Sequence, residues 1–324
     1  MLTQLNGAVE DVPLTVHPPN PKLAGLPLRA NIGEPQQTLI LKGSGLERIS
    51  RIASDEAEWT LAPVPSGDDH LQERKATIRL SPKAHANEIL SASLYVEGIR
   101  QPLRIPDIVH VVGPRPKITD VQTSFPKETN IALEKNEIPA GSAVSFAIQA
   151  ANMGSSPELT LGCSNQSDTR QRITLHPGDN SSTAQLDFAG SSVLFLSLDP
   201  GAIGQSGCLL NAVITDPEIG SSDPYVLGRV TRLPRISRFT LSDQKIGGSL
   251  YLGTITGQDL QMIEKTGWDA NTGYPVQGIP TPVGGNPQEQ TLKIELPWPP
   301  PSPHAPIYVW LRGENTGRLT AMRY

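Results

Sequence analysis

The sequence predicts an all-β protein built of small sandwich domains in tandem, and three observations lead to this prediction. Glycine and proline are abundant, at 29 and 31 of 324 residues, as expected for many short strands joined by turns. Short segments alternate apolar and polar side chains, which is typical of strands with one face on a core. A sequence pattern also repeats three times along the chain, which indicates tandem copies of one structural unit.

Each copy of the repeat opens with a proline, a basic residue and an aliphatic residue. The three phrases are Pro21-Lys22-Leu23, Pro116-Lys117-Ile118 and Pro234-Arg235-Ile236. An apolar residue, a small residue and a second apolar residue then follow at fixed intervals: Leu41, Gly43 and Leu46; Ile148, Ala150 and Met153; Ile255, Gly257 and Leu260. The small residue indicates either a close approach of the backbone or an ordinary bend.

An alternating segment follows the small residue of each copy at an interval of 35, 36 or 37 positions. The three segments are Ile78-Arg79-Leu80, Leu186-Asp187-Phe188 and Ile294-Glu295-Leu296. This nearly constant spacing predicts that the three copies share one fold.

The repeat predicts domains at residues 21–115, 116–233 and 234–324. Lengths of roughly 100 residues are typical of an immunoglobulin-type sandwich, and the second copy is longer because of extra residues before Ile148. Residues 1–20 contain a segment like the one that precedes the second phrase. We expect them to be the end strand of a preceding repeat or a linker, in a natural chain that extends upstream. This also explains why the first residues do not resemble a signal peptide.

The opening of the last repeat resembles an IPT/TIG-type immunoglobulin-like domain of the kind found in bacterial proteins. The resemblance is carried by Pro234-Arg235-Ile236, by Gly247-Gly248 and by the segment Thr254-Ile255-Thr256-Gly257-Gln258-Asp259-Leu260. The first copy is similar through Leu41-Lys42-Gly43-Ser44-Gly45-Leu46. The resemblance implies a sandwich fold and a role in surface or extracellular architecture, and it implies no catalytic residue.

Charge and hydropathy exclude several classes of partner. The net charge is −5 and no long basic run is present, which argues against binding to nucleic acid or to an anionic membrane surface. No stretch approaches the roughly 20 apolar residues of a membrane helix, so we predict no membrane insertion.

The sequence offers no motif for catalysis or for metal binding. The six histidines, at positions 17, 70, 85, 110, 176 and 304, do not have the spacing of metal ligands on one element. Asp216, Glu218 and Asp223, like Asp68-Asp69, are interpreted as solvated turns rather than calcium ligands. We therefore predict no catalytic residue, no metal site and no cofactor.

Two groups of residues are candidates for a specific role. Trp268, Trp298 and Tyr274 lie in the last repeat, where exposed rings would stack on sugars and buried rings would supply core area. Cys163 and Cys208 are interpreted either as a disulfide across the sandwich, closing 45 residues, or as two buried thiols.

These observations predict a non-enzymatic extracellular or cell-surface module, structural or adhesive, that spaces or displays binding surfaces. Its expected partner is a protein or a polysaccharide at a cell surface. One alternative is a carbohydrate-binding module centred on the third repeat. The other is the accessory region of a secreted hydrolase.

Overall fold

The computed structural model describes the backbone of residues 2–3 and 9–10, and residues 19–65, 71–126, 130–164, 172–190, 192–284 and 286–324. It divides into two compact units, residues 1–115 and 116–324. His17, His70, Asp68-Asp69 and most of the predicted end strand within residues 1–20 lie outside the described residues.

The first unit contains one sandwich. Its strands are β1 (Leu2–Thr3), β2 (Val9–Glu10), β3 (Lys22–Ala24), β4 (Leu28–Asn31), β5 (Gln37–Ser44), β6 (Ile49–Ala53), β7 (Ala57–Leu61), β8 (Glu73–Leu80), β9 (Ile89–Val96) and β10 (Leu103–Val112). Strands β1 and β2 pair with each other, and the others form two sheets in the orders β3-β5-β8-β7 and β4-β10-β9-β6. The pairing is antiparallel except between β4 and β10.

The second unit contains two sandwiches, called here the second and the third. The strands of the second are β11 (Lys117–Ser124), β12 (Glu137–Ala140), β13 (Val144–Ala151), β14 (Glu158–Cys163), β15 (Ile173–Leu175), β16 (Ala184–Ala189), β17 (Val193–Leu198), β18 (Leu209–Asp216), β19 (Gly220–Ser221) and β20 (Tyr225–Arg232). Its sheets have the orders β11-β13-β17-β16 and β12-β20-β18-β14-β15, with β19 paired to β18. Strand β12 runs parallel to β20.

The strands of the third sandwich are β21 (Arg235–Gly247), β22 (Leu250–Gln258), β23 (Ile263–Gly267), β24 (Tyr274–Pro275), β25 (Gln277–Val283), β26 (Asn286–Pro297), β27 (Pro306–Leu311) and β28 (Arg318–Arg323). They form sheets in the orders β21-β22-β26-β25 and β24-β23-β27-β28. Short 3-10 turns occur among the described residues at Leu46–Arg48, Pro200–Ala202 and Leu260–Met262.

Each pair of sheets encloses a core supplied by the inward side chains of both. Examples from the facing sheets are Ile78 and Val109 in the first sandwich, Phe146 and Leu161 in the second, and Ile294 and Val309 in the third. Burial alternates along β13, as the pleat requires for a strand with one face on the core. The prediction of an all-β chain of tandem immunoglobulin-like sandwiches is confirmed, whereas the three domain limits stay a prediction.

The structure explains why each copy of the repeat has an aliphatic residue in its opening phrase and a small residue further along. The aliphatic residue of each opening phrase pairs across the first two strands with the small residue, as Leu23 with Gly43, Ile118 with Ala150 and Ile236 with Gly257. A Cβ atom at Gly43 or Gly257 would lie 1.9 Å from the carbonyl oxygen of Lys22 or Arg235. The small residue therefore marks a close backbone approach in the first and third copies rather than an ordinary bend.

One alignment between the copies was wrong. The segment Leu186-Asp187-Phe188 was matched to Ile78-Arg79-Leu80 and Ile294-Glu295-Leu296, which lie in β8 and β26, next to the strand with the small residue. In the second sandwich that neighbouring position is occupied by β17, and β16 lies one strand further out. Both strands alternate with the same period, so sequence pattern alone does not distinguish them.

Among the described residues, no helix is long enough and apolar enough to cross a lipid bilayer.

Candidate functional site

Residues 130–132, between β11 and β12, belong to the second repeat but pack into the third sandwich. Ile131 is 2% exposed and shares a core cluster with Ile236, Ile255 and other residues of the third sandwich. Ile131 forms an antiparallel bridge with Thr320 of β28. The Ala132 N–H donates to the Leu319 carbonyl at 2.8 Å, and the Ala321 N–H donates to the Asn130 carbonyl at 2.7 Å. The second repeat thus supplies both backbone partners and core volume to the third.

Residues 130–132 take the place that a strand of the same repeat has in the other two sandwiches. In the first sandwich β4 pairs with the last strand, β10, and in the second β12 pairs with the last strand, β20. Each thereby covers the outer edge of that last strand. In the third sandwich residues 130–132 cover the corresponding edge of β28. An uncovered edge strand would present unpaired N–H and C=O groups. The second and third sandwiches are therefore joined by shared sheet edge and shared core.

A buried cluster of charges lies beside residues 130–132. The Arg318 guanidinium donates to Glu137 Oε2 at 2.5 Å and Oε1 at 3.0 Å, and to Glu314 Oε1 at 2.5 Å. The Thr231 hydroxyl donates to Glu137 Oε1 at 3.1 Å. Arg318 and Glu137 are 7% and 8% exposed. Because Glu137 lies on β12 and Arg318 on β28, the cluster connects the two sandwiches through charge-assisted hydrogen bonds.

The cluster holds both partners in their charged forms. Burial alone raises the pKa of Glu137, but hydrogen bonds from Arg318, the Glu134 N–H and Thr231 outweigh it, so its pKa lies below the ordinary value. Burial alone lowers the pKa of Arg318, whereas the carboxylates of Glu137 and Glu314 raise it, and the net direction is upward. Each charge is stabilised in place only while its partner is present.

More exposed contacts surround the buried cluster. Arg232 of β20 makes two hydrogen bonds to the Asp259 carboxylate, at 2.8 and 3.1 Å, and its side chain is 60% exposed. The Asn130 side chain donates to the Ile236 carbonyl at 2.9 Å, and Arg235 donates to the Gly141 carbonyl. Together with residues 130–132 and the Arg318 cluster, these contacts form what is called here the junction.

The aromatic residues predicted to bind a ligand do not form the flat exposed surface that stacking on sugars requires. Trp268 is 9% exposed, its Nε1–H donates to the Pro297 carbonyl at 2.8 Å, and its ring packs edge-on against Phe239 and Tyr324. This indole is therefore part of the core. Tyr274 is half-buried on β24, opposite Thr266.

Trp298 is the exception among these residues, because it remains 39% exposed. Its ring lies 5.3 Å from that of Tyr324 at an interplanar angle of 76°, and 5.9 Å from that of Tyr251. Tyr324 is 42% exposed. The two exposed rings form a corner rather than a shared plane.

Cys163 and Cys208 form a disulfide in the second sandwich. The expectation that it ties two strands across the sandwich was wrong, because Cys163 ends β14 and Cys208 precedes β18, which is the neighbouring strand of the same sheet. A Cβ atom at Gly204 would lie 2.4–2.5 Å from the two sulfur atoms. The bond therefore fastens the turn that leads into β18 to the end of β14.

An open cavity of about 520 Å³ lies at one end of the second sandwich, and its walls include Ser155, Ser156, Glu158 and His176. A serine, a histidine and an acid in one cleft would suit the hydrolase alternative. However, His176 Nε2 lies 3.2 Å from Glu158 Oε1, and Nδ1 lies 3.5 Å from Asp179 Oδ2. Both ring nitrogens thus lie beside carboxylates, which is not the geometry of a base directed at a serine hydroxyl.

The described residues contain no group of three or more His, Cys, Asp or Glu side chains placed to hold a metal ion. Asp216, which was interpreted as a solvated turn residue, is instead 1% exposed. Its carboxylate accepts hydrogen bonds from the N–H groups of Glu218, Ile219 and Ser156. This side chain organises loops around the cavity.

The buried residues of the junction, Ile131, Glu137 and Arg318, were missed in the sequence because they are far apart in it and individually ordinary. Glu137 and Arg318 are 181 positions apart. One signal was available, namely the extra length of the second repeat before Ile148, and residues 130–132 lie within that extra segment.

Comparisons with known proteins found similar solved structures. No family model and no curated protein matches the sequence. Similar solved structures include a three-immunoglobulin-domain titin fragment with Glu-to-Ala changes, at 9% identity and a TM-score of 0.29, covering 93% of this chain and 96% of that one. An ICAM-5 ectodomain fragment has 14% identity, a TM-score of 0.27 and coverage of 94% and 76%. A marsupial T cell receptor has 10% identity, a TM-score of 0.28 and coverage of 91% and 98%. The strand orders and the three cores make this chain a tandem array of immunoglobulin-like sandwiches.

Proposed function

We propose that the chain is a non-enzymatic structural or adhesion module of an extracellular or cell-surface protein, in which immunoglobulin-like repeats of IPT/TIG type space and display binding surfaces. The observation that carries this proposal is the junction, where Ile131 of the second repeat lies in the core of the third sandwich. A shared core and a buried ion pair resist bending between the two sandwiches. A fixed orientation is what a spacing element requires.

The disulfide supports placement outside the cytosol, because disulfides persist in oxidising compartments. Antibodies raised against the chain are expected to label intact cells of its source or to detect it in the medium. Labelling found only after the cells are permeabilised would overturn this placement.

Residual dipolar couplings of the deuterated full chain test the spacing role. Amides of β13 and β17 in the second sandwich and of β26 and β27 in the third are expected to fit one alignment tensor. Two tensors of different magnitude in the unmodified protein would refute a fixed orientation.

A matched pair of variants shows whether the shared core causes the rigidity. Ile131→Asp places a charge in that core and is expected to give two tensors, because an unpaired buried carboxylate is strongly unfavourable. Ile279→Asp changes an isoleucine of the third sandwich that is 80% exposed, and is expected to leave one tensor. If both variants behave alike, the junction is not what fixes the orientation.

A second candidate function is carbohydrate binding, and it is favoured by the adjacent exposed rings of Trp298 and Tyr324. A pull-down on insoluble and soluble polysaccharides, comparing the unmodified chain with Trp298→Ala, tests it. Phe195→Ala, which removes another exposed ring in the second sandwich, is the control. Binding that is lost only with Trp298→Ala would support a sugar site on the third sandwich, and no binding to any polymer would exclude one on this panel.

A further inference from the structure

The cavity at the end of the second sandwich has mostly apolar walls. Its apolar lining residues are Met153, Pro157, Pro177, Phe188 and Pro217. They come from the β13–β14 loop, the β15–β16 loop, the end of β16 and the β18–β19 turn. A cavity of about 520 Å³ has the size of a site for a drug-sized group or for the side chains of a short peptide.

The loops around this cavity are held together by a buried carboxylate. Asp216 Oδ1 accepts hydrogen bonds from the Glu218 and Ile219 N–H groups at 2.9 and 3.2 Å, and Oδ2 accepts one from the Ser156 N–H at 3.3 Å. Gly154 is required there, because a Cβ atom would lie 2.0 Å from Asp216 Oδ2. The walls are therefore preorganised, which lowers the entropic cost of binding.

Carboxylates lie at the rim of the cavity. Asp179 and Glu158 lie beside His176 at the rim, and Glu218 follows the lining residue Pro217. Carboxylates at the rim of an apolar cavity favour a partner of the opposite charge and speed its association.

We propose that this cavity is a docking site for a segment of a partner protein that inserts an aliphatic or aromatic side chain and places a neighbouring lysine or arginine beside Glu158 and Asp179. The proposal rests on the display role proposed above and gives the chemical class of the partner. The apolar walls select the inserted side chain, and the rim carboxylates select the basic neighbour. Docking of this kind needs no movement of the loops that Asp216 fixes.

Selection from a library of random linear peptides displayed on phage, with the full disulfide-bonded chain as bait, tests this directly. The selected peptides are expected to combine an aliphatic or aromatic residue with an adjacent lysine or arginine. Their affinity for the chain, measured by fluorescence anisotropy of synthetic labelled copies, is expected to fall as salt concentration rises.

Two variants and two matched controls locate the site. Ser155→Trp, which fills the cavity from an exposed position, is expected to weaken binding at least tenfold. Glu158→Gln, which keeps the shape but removes a charge, is expected to weaken it severalfold and to flatten its salt dependence. Phe195→Ala and Asp243→Asn change an exposed ring and a carboxylate elsewhere and are expected to have no effect.

Several outcomes would overturn the proposal. These are the absence of any enriched peptide, enrichment of peptides without basic residues, and equal binding to the chain and to the Ser155→Trp variant. Self-association of the chain that Ser155→Trp abolishes would assign the cavity to a second copy instead of a partner. The dipolar couplings report on the junction, so failure of the peptide experiment leaves the spacing role separately testable.

Discussion

Replacing Ile131 with alanine is predicted to destabilise the third sandwich, although this residue belongs to the second repeat. The side chain is 2% exposed and packs in the third core. The change removes three carbon atoms, worth about 2.4 kcal/mol in transfer free energy at roughly 0.8 kcal/mol each. The cavity left behind adds to this, giving about 3 kcal/mol, within the range of about 2–5 kcal/mol for such truncations.

Native-state hydrogen exchange on the full chain measures this loss strand by strand. Amides of β26 and β27 are expected to exchange on the order of 100-fold faster in the Ile131→Ala variant, since about 1.4 kcal/mol corresponds to a factor of ten. The matched control is Ile138→Ala, an equally buried isoleucine that packs in the second core. It is expected to act first on β14 and β18.

The reasoning fails if protection in β26 and β27 is unchanged by Ile131→Ala. It also fails if Ile131→Ala and Ile138→Ala give the same pattern of lost protection across both sandwiches. The first result would mean that Ile131 contributes nothing to the third core. The second would mean that the two sandwiches open only as one body.

Four further predictions follow from individual contacts. Arg318→Met leaves the Glu137 carboxylate buried without its partner. It is expected to lower the free energy of unfolding by about 3 kcal/mol, measured by urea unfolding followed by tryptophan fluorescence. A loss below about 1 kcal/mol would contradict a buried pair. Because the pKa of Glu137 is lowered in the folded state, its contribution is present above the ordinary value of 4.5 and is lost as pH falls below it. The unmodified chain should therefore lose more stability than Glu137→Gln between pH 5 and about pH 3, and parallel pH profiles would argue against this. Gly257→Ala is expected to cost about 1–3 kcal/mol by calorimetry, because the new Cβ would overlap a carbonyl oxygen, and an unchanged melting temperature would refute that close approach. Replacing Cys163 and Cys208 with serine is expected to lower the free energy of unfolding by about 3–4 kcal/mol in the same urea assay. If both cysteines of the unreduced native chain react with a thiol reagent, the disulfide is absent.

The exposed Arg232–Asp259 pair of the junction is expected to contribute much less stability than the buried Arg318 cluster. Arg232→Met breaks the Arg232–Asp259 pair, but the arginine side chain is 60% exposed. Exposed pairs contribute about 0–1 kcal/mol because water and salt screen them. The structure thus ranks the two arginines of the junction by burial.

The sequence by itself determined the class of fold and the presence of three repeated copies. Alternation with a period of two, bounded by turn residues, is a local property, and it is visible in β8 and β26 without knowledge of their neighbours. The constant small residue at Gly43 and Gly257 was also visible, but the sequence left open whether it marks a close backbone approach or a bend, and the structure decided for the close approach. Local patterns failed where two strands share one period, as β16 and β17 do.

The tertiary structure alone decided which surfaces are available and how two repeats are joined. Trp268 and Trp298 were both candidates for ligand binding, but only the fold brings Phe239 and Tyr324 against the first and leaves the second 39% exposed. Ile131 and Thr320 are brought together by chain packing. Burial of a side chain depends on which distant strands surround it, and contacts across such separations leave no periodic trace in the sequence.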